Sequence, residues 1–368
     1  MSGRPSRSLH VLIATPYGEH GKGGIDRMMD VIREQVREHP EGDLDVRFLT
    51  TRGEGALVPS IFLYFIPSIF YLIFLQLSWR VDVFHINIVQ KGSTLRKLIL
   101  CYVARAFSIP YILHLHGSRY RQYWDSASPR MSKRIRDIFD KSSCVLVLGQ
   151  AWSEYIASRA PRARIEILPN ATVAPTQARV HRNGGEPVHI LFLGRLGERK
   201  GVPELIQALA GLNGVQPWRA TLAGDGEVEA ARREVAAVGL ADRVATPGWA
   251  GPADVQRLLA SADVLVLPSH NENLPLSVIE GMGYGLAVVT TPVGAVTDII
   301  SEGRTGLLCP PGDPVALAVA LERVVADADL RSRLGSSARE FHMEHLNVDI
   351  YFTRLKAIWT GAGLHGPR

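Results

Sequence analysis

The chain has 368 residues, 46% hydrophobic and 21% charged, an ordinary globular composition with length for two domains. Cys101, Cys144 and Cys309 are far apart and lack metal-ligand spacing, which fits a reduced cytosolic protein and not a disulfide scaffold. The net charge of +5 is uneven: residues 1–175 carry 23 Lys/Arg against 15 Asp/Glu (+8), and residues 176–368 carry 18 against 21 (−3). The basic half calls for an anionic partner such as a membrane surface or a phosphate; without a nucleic-acid motif or interleaved aromatics, nucleic acid is set aside.

In chain order, LHVLIAT (9–15) reads as a buried strand after a start too short in apolar residues for a secretory signal. A glycine-rich turn, GKGGID (21–26), leads into the helical pattern MMDVIREQVREH. Strands recur at DVRFLT, DVFHI, YILHLHG and CVLVLG with helices between most of them, the alternation of a parallel sheet. A polar connector over 171–187 reads as a domain linker. The pattern restarts at VHILFLG (188–194), followed by PELIQALAGL, RATLAGDG, RVATPGW, DVLVLPS, LAVVTT and TGLLCP. Helical segments are expected at 254–261, 275–284, 314–326, 329–342 and about 347–360, and GAGLHGPR is expected to be disordered. The fold class is therefore α/β, with two Rossmann-like, parallel-sheet halves in tandem facing a cleft. In open parallel sheets ligands bind beyond the carboxyl ends of the strands.

One segment departs from the soluble pattern. Residues 56–79, ALVPSIFLYFIPSIFYLIFLQLSW, carry no charge over a length that could span a bilayer. Pro59 and Pro67 interrupt it, and a span would place flanking strands of one sheet on opposite sides of the membrane. A helix docking on or into one leaflet is the preferred reading, ahead of a buried core helix and a true span. The basic run 119–136, with Tyr120, Tyr123 and Trp124, suits anionic headgroups and interfacial aromatics.

Several constellations can carry chemistry. LPSHNENLPLSVIEGMGYG (267–285) sets Glu272 and Glu280 eight positions apart, which on one helix leaves them about 80° apart. Pro275 instead suggests that Glu272 lies in a loop and Glu280 one to two turns inside a helix. GRLGERKG (194–201) joins a strand to a helix, with Arg195 and Lys200 beside free backbone N–H groups, an arrangement suited to a diphosphate. GKGGID is the corresponding turn of the first half and allows close backbone approach. HLHG (114–117) puts His116 at a strand end, while His114 and His85 read as satisfied interior groups. GDGE (224–227) reads equally as a tight turn or a ligand loop. The pairs Asp43/Asp45 and Asp327/Asp329 do not read as metal ligands.

In this order, Gly-Gly, His, Gly-Arg…Lys-Gly, Gly-Asp-Gly-Glu and Pro-Ser…Glu-x₇-Glu, the motifs resemble those of the GT-B glycosyltransferases of family 4, the retaining nucleotide-sugar enzymes. The resemblance covers nearly the whole chain and is strongest from Val188 to Asp313. It implies an acceptor-binding domain at 1–175, a nucleotide-sugar domain at 176–345, and a C-terminal helix within 346–368 that returns to the first domain. It implies that Glu272 reaches donor-sugar hydroxyls and Glu280 the ribose. Arg195 and Lys200 match the diphosphate clamp, and backbone around Asn273, Leu274 and Leu276 faces phosphate. Gly23 and Gly24 match the phosphate-approach turn, Gly224 belongs to the donor loop, and His116 lies near the transferring sugar. The substrate expected is a UDP- or GDP-sugar, with no metal or other cofactor. The uncharged segment adds a lipid-linked or glycan acceptor, an anionic membrane surface and a peripheral place on the inner face of the cell membrane. Two departures stand out: Asn273-Leu274-Pro275 replaces a common glycine-aromatic-glycine, and Gly281 stands where alanine is common. A sugar-nucleotide epimerase and a catalytically silent membrane scaffold are the rival readings.

Overall fold

The computed structural model describes residues 8–16, 23–38, 44–53, 57–175, 186–212 and 217–364. Gly21, Lys22, Asp43, Ala56, connector residues 176–185 and tail residues 365–368 lie outside that set. The chain divides into two compact units, Met1–Pro169 with Tyr351–Arg368, and Asn170–Ile350.

The first unit holds β1 (Leu9–Thr15), β2 (Leu44–Thr50), β3 (Val83–Ile88), β4 (Tyr111–Leu115), β5 (Cys144–Val147) and β6 (Ile165–Ile167) in one parallel sheet of order β2-β1-β3-β4-β5-β6. Its helices are α1 (Gly24–Glu38), α2 (Leu57–Ser60), α3 (Ile66–Ser78), α4 (Gly92–Ala106), α5 (Tyr120–Asp125), α6 (Pro129–Asp140) and α7 (Gln150–Arg159). The second unit holds β7 (Val188–Leu193), β8 (Trp218–Ala223), β9 (Val244–Gly248), β10 (Val264–Leu267), β11 (Ala287–Thr290) and β12 (Leu307–Leu308), all parallel, in the order β12-β11-β10-β7-β8-β9. Its helices are α8 (Val202–Ala210), α9 (Val228–Ala237), α10 (Pro252–Ser261), α11 (Leu276–Gly283), α12 (Pro314–Ala326) and α13 (Ala328–Phe341); α14 (Val348–Leu364) follows. Every residue of β3, β4 and β7 is buried, as a parallel sheet covered on both faces requires. Starts of helices are set by local chemistry. Ser128, Asp313 and Asp327 accept backbone N–H bonds at the first turns of α6, α12 and α13, and Pro129 and Pro314 follow two of them. Asp327 is thus a helix cap.

The uncharged segment is helical from α2 through α3. Pro59 and Pro67 do not interrupt it, because the turn Ile61–Phe65 between the helices is widened and the Ile66 N–H donates to Ile61 O. The wide turn relieves the clash that a proline ring makes with the carbonyl four residues back, and Ser68 Oγ donates to Phe65 O at 2.6 Å. One side of this run reaches the core through Phe65, Leu72 and Leu75. The other side is exposed at Leu63, Ile66, Phe70, Phe74 and Leu77, the last three 67%, 60% and 77% accessible. Ile61–Ser78 is long and apolar enough to cross a membrane, and 22% of it is buried. The helix is therefore not a core helix.

Right-handed crossovers from β2 to β3, β4 and β5 put α3, α4 and α6 on one face of the sheet, since those strands advance in one direction. Leu72, Leu75, Phe84, Ile86, Leu98, Cys101 and Ile135 accordingly share one core. α4 adds its own exposed apolar stripe, Leu95, Ile99 and Tyr102. Arg130, Lys133, Arg134 and Arg136 of α6 are exposed. Tyr120 and Trp124, expected at a headgroup surface, are instead buried in that core, where Trp124 packs on Phe139 with ring centroids 5.0 Å apart. Their spacing on the short α5 turns both rings inward.

The C-terminal sequence expected to be disordered is helical as far as Leu364. Gly363 lies so close to Leu9 and Val83 that a Cβ would come within 3.0 Å and 3.4 Å of them. Packing against the first sheet overrides the low helix propensity of glycine.

Candidate active site

The strand order of the second sheet reverses between β7 and β10, the topological switch point at which open α/β sheets bind ligands. The chain leaves β7 into GRLGERKG and leaves β10 into LPSHNENLP, so both motifs issue from that point. Lys200 Nζ lies 2.6 Å and Arg199 Nη1 2.9 Å from the same oxygen, Glu272 Oε1. Arg199 Nη1 also donates to Asn271 O at 3.0 Å, and the His270 N–H donates to Arg199 O at 3.0 Å. Lys200 and Glu272 side chains are 12% and 13% accessible, so the pair is screened less than a surface pair. Two cations on one carboxylate leave a net positive cluster with donors to spare.

Backbone proximity holds the two loops in place. Gly201 caps α8 with φ +70°, and a Cβ there would fall 2.1 Å from Pro268 O. Gly224, at φ +153°, lies against Gly194 so closely that a Cβ would fall 1.8 Å from Gly194 O. The GRLG and GDGE turns are clasped by Leu196 N–H to Asp225 O (2.7 Å) and Glu227 N–H to Leu196 O (3.0 Å). Arg195 is exposed, and its partner is Asp225 at 3.6 Å rather than Glu272.

Glu272 lies in the loop. α11 begins at Leu276, with Pro275 as its N-cap in the extended conformation, so the helix starts one residue after the expected 275. Glu280 is its fifth residue. Among the described residues no side chain caps the start of α11, so its first N–H groups and the positive dipole end are left without a side-chain acceptor. Asn273 and Leu274 are buried, and their carbonyls accept from the Ala295 N–H (2.7 Å) and Asn170 Nδ2 (2.8 Å). With those carbonyls engaged, the loop is fixed ahead of the helix.

In the first unit, Gly24 opens α1, and a Cβ there would meet nothing within 4 Å. The Gly23 N–H donates to Asp26 Oδ2 at 3.3 Å; burial raises the pKa of that carboxyl above the ordinary carboxylate range. His116 follows β4, its N–H bonded to Ile88 O at 3.1 Å and its Nε2 to Asn87 Oδ1 at 2.8 Å. Burial pushes its imidazole down to about 3. His85 and His114, read as interior groups, are fully buried, with His85 Nε2 3.3 Å from His114 Nδ1.

The structure therefore brings Lys200 and Glu272 together, sets Arg195 apart on Asp225, places Gly224 against Gly194, and carries Glu280 on α11. Sequence reasoning missed Arg199 and Asn170. Arg199 adjoins Lys200 in ERK and could have been included; Asn170 carries no motif.

A family model for glycosyl transferases group 1 matches residues 174–341, and one for a glycosyl transferase 4-like domain matches residues 9–171. The chain is a group 1 glycosyltransferase of the GT-B, family 4 type. The lipopolysaccharide core biosynthesis glycosyltransferase LpsE of Rhizobium meliloti is 32% identical over 208 residues, 55% of this chain; the match spans 59% of that protein, less than two thirds of its length. The alpha-D-kanosaminyltransferase of Streptomyces kanamyceticus is 26% identical over 283 residues, 71% of this chain and 73% of that protein. The fold of this glycosyltransferase is that of Anabaena Alr3699/HepE in complex with UDP, with TM-score 0.74, 17% identity, and 96% of this chain and 100% of that chain covered. The sucrose-phosphate synthase of Thermosynechococcus elongatus aligns with TM-score 0.75 at 18% identity over 96% of this chain and 98% of that one.

Proposed function

We propose that this glycosyltransferase moves a hexose from a UDP- or GDP-sugar to a lipid-linked acceptor, with retention at the anomeric carbon, in the assembly of a bacterial surface polysaccharide. The observation that carries the donor half is the pairing of Lys200 and Arg199 with Glu272 at the switch point of the second sheet. A diphosphate entering there meets Lys200, Arg199, Arg195 and the amide end of α11. When the anomeric C–O bond breaks, negative charge grows on the leaving diphosphate, and fixed cations at that point lower the barrier. Glu272, released in part from its cations, accepts from sugar hydroxyls, and Glu280 accepts from the ribose. In the retaining reading the leaving phosphate oxygen takes the acceptor proton as the acceptor attacks from the same side. The side-chain cations supply the charge neutralisation, so the reaction needs no metal.

The acceptor half rests on the exposed side of α3, the Leu95–Ile99–Tyr102 stripe of α4 and the cations of α6 on the same face. An apolar surface rimmed by cations suits the inner leaflet of the cell membrane, where the protein sits peripherally. A soluble epimerase has no use for that surface. The lipopolysaccharide-core relative is in keeping with a surface-glycan acceptor. The test is nucleoside diphosphate release from a panel of nucleotide sugars, with and without a crude lipid extract and with and without EDTA, beside Glu272→Ala and Glu280→Ala. One donor cleaved by wild type, faster with lipid, unaffected by EDTA and spared by both variants, supports the reading. An epimerised but unreleased sugar overturns it.

A further inference from the structure

The interior of the first unit contains two hydrogen-bonded pairs, His85–His114 and Asn87–His116, whose roles are each fixed by a neighbour; the His114 and His116 rings pack together with centroids 4.0 Å apart. In the first pair, Trp359 Nε1 of α14 lies 3.0 Å from His85 Nδ1. An indole nitrogen only donates, so Nδ1 accepts and the His85 proton sits on Nε2. That N–H points at His114 Nδ1, 3.3 Å away, which puts the His114 proton on its Nε2 as well. In the second pair, Asn87 Nδ2 lies 3.1 Å from Ala14 O. A carbonyl oxygen only accepts, so this contact fixes which way the amide faces and turns Asn87 Oδ1 toward His116 Nε2 at 2.8 Å. An amide oxygen also only accepts. His116 must therefore donate from Nε2, and in a neutral ring Nδ1 is left with its lone pair. Of the three imidazoles, His85 and His114 are fully buried and His116 alone is partly accessible. Burial keeps the rings neutral, with His85 and His116 lowered to about 3 and His114 lower than its ordinary value.

We propose that Asn87 is a positioning residue that locks His116 in the Nε2–H tautomer, so that the ring offers substrate a hydrogen-bond acceptor at Nδ1 and no donor. The proposal rests on the reading of His116 as a residue of the transferase site. Its chemical consequence is specific: the group met by His116 must itself donate, as a sugar hydroxyl does. A substrate in which that hydroxyl is replaced by fluorine keeps an acceptor but loses the donor. It is then used no better than the deoxy compound.

The first measurement is a histidine-selective 15N correlation spectrum of the full-length protein at neutral pH, with the His116 signals assigned from their loss in His116→Gln. The Nε2–H pattern is expected; a Nδ1–H pattern in wild type overturns the lock. In Asn87→Ala, or Asn87→Ser should the alanine variant not fold, the His116 signals should shift toward a mixture of tautomers. Donor cleavage should then fall roughly three- to tenfold in kcat/KM, the scale of one hydrogen bond. An unchanged tautomer in both variants overturns the role of Asn87. Asparagine at 116 can place an oxygen where Nδ1 stands, whereas glutamine reaches only the Nε2 position, so His116→Asn should retain more activity than His116→Gln. The reverse order overturns the acceptor assignment. Full activity in both, with the Nε2–H tautomer present, removes His116 from the site. The donor-site reading then still stands if Glu272→Ala and Glu280→Ala are inactive.

Discussion

The large apolar side chains that the first unit exposes are grouped: Leu63, Ile66, Phe70, Phe74 and Leu77 along one helical run, and Leu95, Ile99 and Tyr102 along the next. Those of the second unit are scattered: Val173, Val238, Trp249 and Met343 stand on different segments, while Val315 and Val319 share α12. Charge is organised the other way. The second unit gathers Arg199, Lys200 and Glu272 at the strand-order reversal, whereas the first buries neutral imidazoles and a lysine amine, Lys97 Nζ, 2.7 Å from Thr51 Oγ1. One sheet architecture is thus finished as an ionic site in one unit and as an apolar surface over a neutral polar interior in the other. The difference teaches what each half is built to hold under the proposed function: a few charged atoms at strand ends suit a diphosphate, and the outside of apolar helices suits a lipid surface.

The largest effect expected from breaking this division is on donor cleavage. Lys200→Ala should lower it by roughly 100- to 1000-fold, as loss of one fixed donor at a developing charge does. Arg195→Ala should cost nearer tenfold, because that side chain is 68% accessible and, among the described residues, pairs with Asp225 rather than Glu272. Steady-state release of nucleoside diphosphate measures both. If Arg195 proves the costlier loss, the clamp is centred on the GRLG turn and not on the Lys200–Glu272 pair.

This contrast also explains what the sequence made legible. Both sheets, and every described strand except the three-residue β6, could be read from the sequence, most plainly β3, β4 and β7, because a strand buried on both faces writes its environment into every residue. The loop position of Glu272 and the helical position of Glu280 followed from Pro275. The burial of Tyr120 and Trp124 could not be read, since a short helix among cations looks the same whether its rings face lipid or core. Helical continuity through Pro67 was equally hidden, because it depends on a widened turn. Arg199 was overlooked beside Lys200, and which cation engages Glu272 depends on how the β7 and β10 loops lie together.

Next in size is the exposed helix. Phe70, Phe74 and Leu77 follow i, i+4, i+7 spacing and face outward together. Replacing all three by serine should reduce partition onto anionic vesicles tenfold or more, since each buried apolar side chain contributes roughly 1.5–3 kcal/mol. The thermal midpoint should hardly move, because none of them packs in the core. A large fall in that midpoint with vesicle binding intact would falsify the leaflet reading and make this face a contact for protein.

Acid should then separate the units by stability. His85 and His116 are held down to about 3 and His114 is also lowered, while in the second unit burial lowers His342 to about 4. A group whose folded pKa lies below its unfolded value of about 6.5 binds protons preferentially in the unfolded chain between those two values. Its contribution is therefore complete above about pH 6.5 and is lost as pH falls toward the folded value, by up to about 1.4 kcal/mol per pH unit for each ring. Asp26, whose pKa is raised by burial, works in the opposite direction. Hydrogen exchange at pH 7 and pH 5, corrected for intrinsic rates, should show β3 and β4 losing more protection than β7 and β10. Equal losses would mean that the imidazole cluster accepts charge by local rearrangement.

The smallest effect concerns Gly281, where alanine would have been the commoner choice. It lies inside α11, and a Cβ there would sit 2.7 Å from Leu265 Cδ2 and 3.0 Å from Leu265 Cβ on β10. Alanine gains about 1 kcal/mol in helix propensity over glycine, and overpacking costs about 1–3 kcal/mol. The clash with Cβ, which no rotamer of Leu265 can relieve, tips the balance, so Gly281→Ala should destabilise the protein by about 1 kcal/mol in denaturant unfolding. Leu265→Ala alone should cost more, through the cavity it leaves, and the double variant should be more stable than the sum of the two losses, because the new methyl enters the space the leucine vacates. Strict additivity would show that α11 already slides on the sheet. Glu280 would then be carried by a mobile helix, not by one wedged against β10.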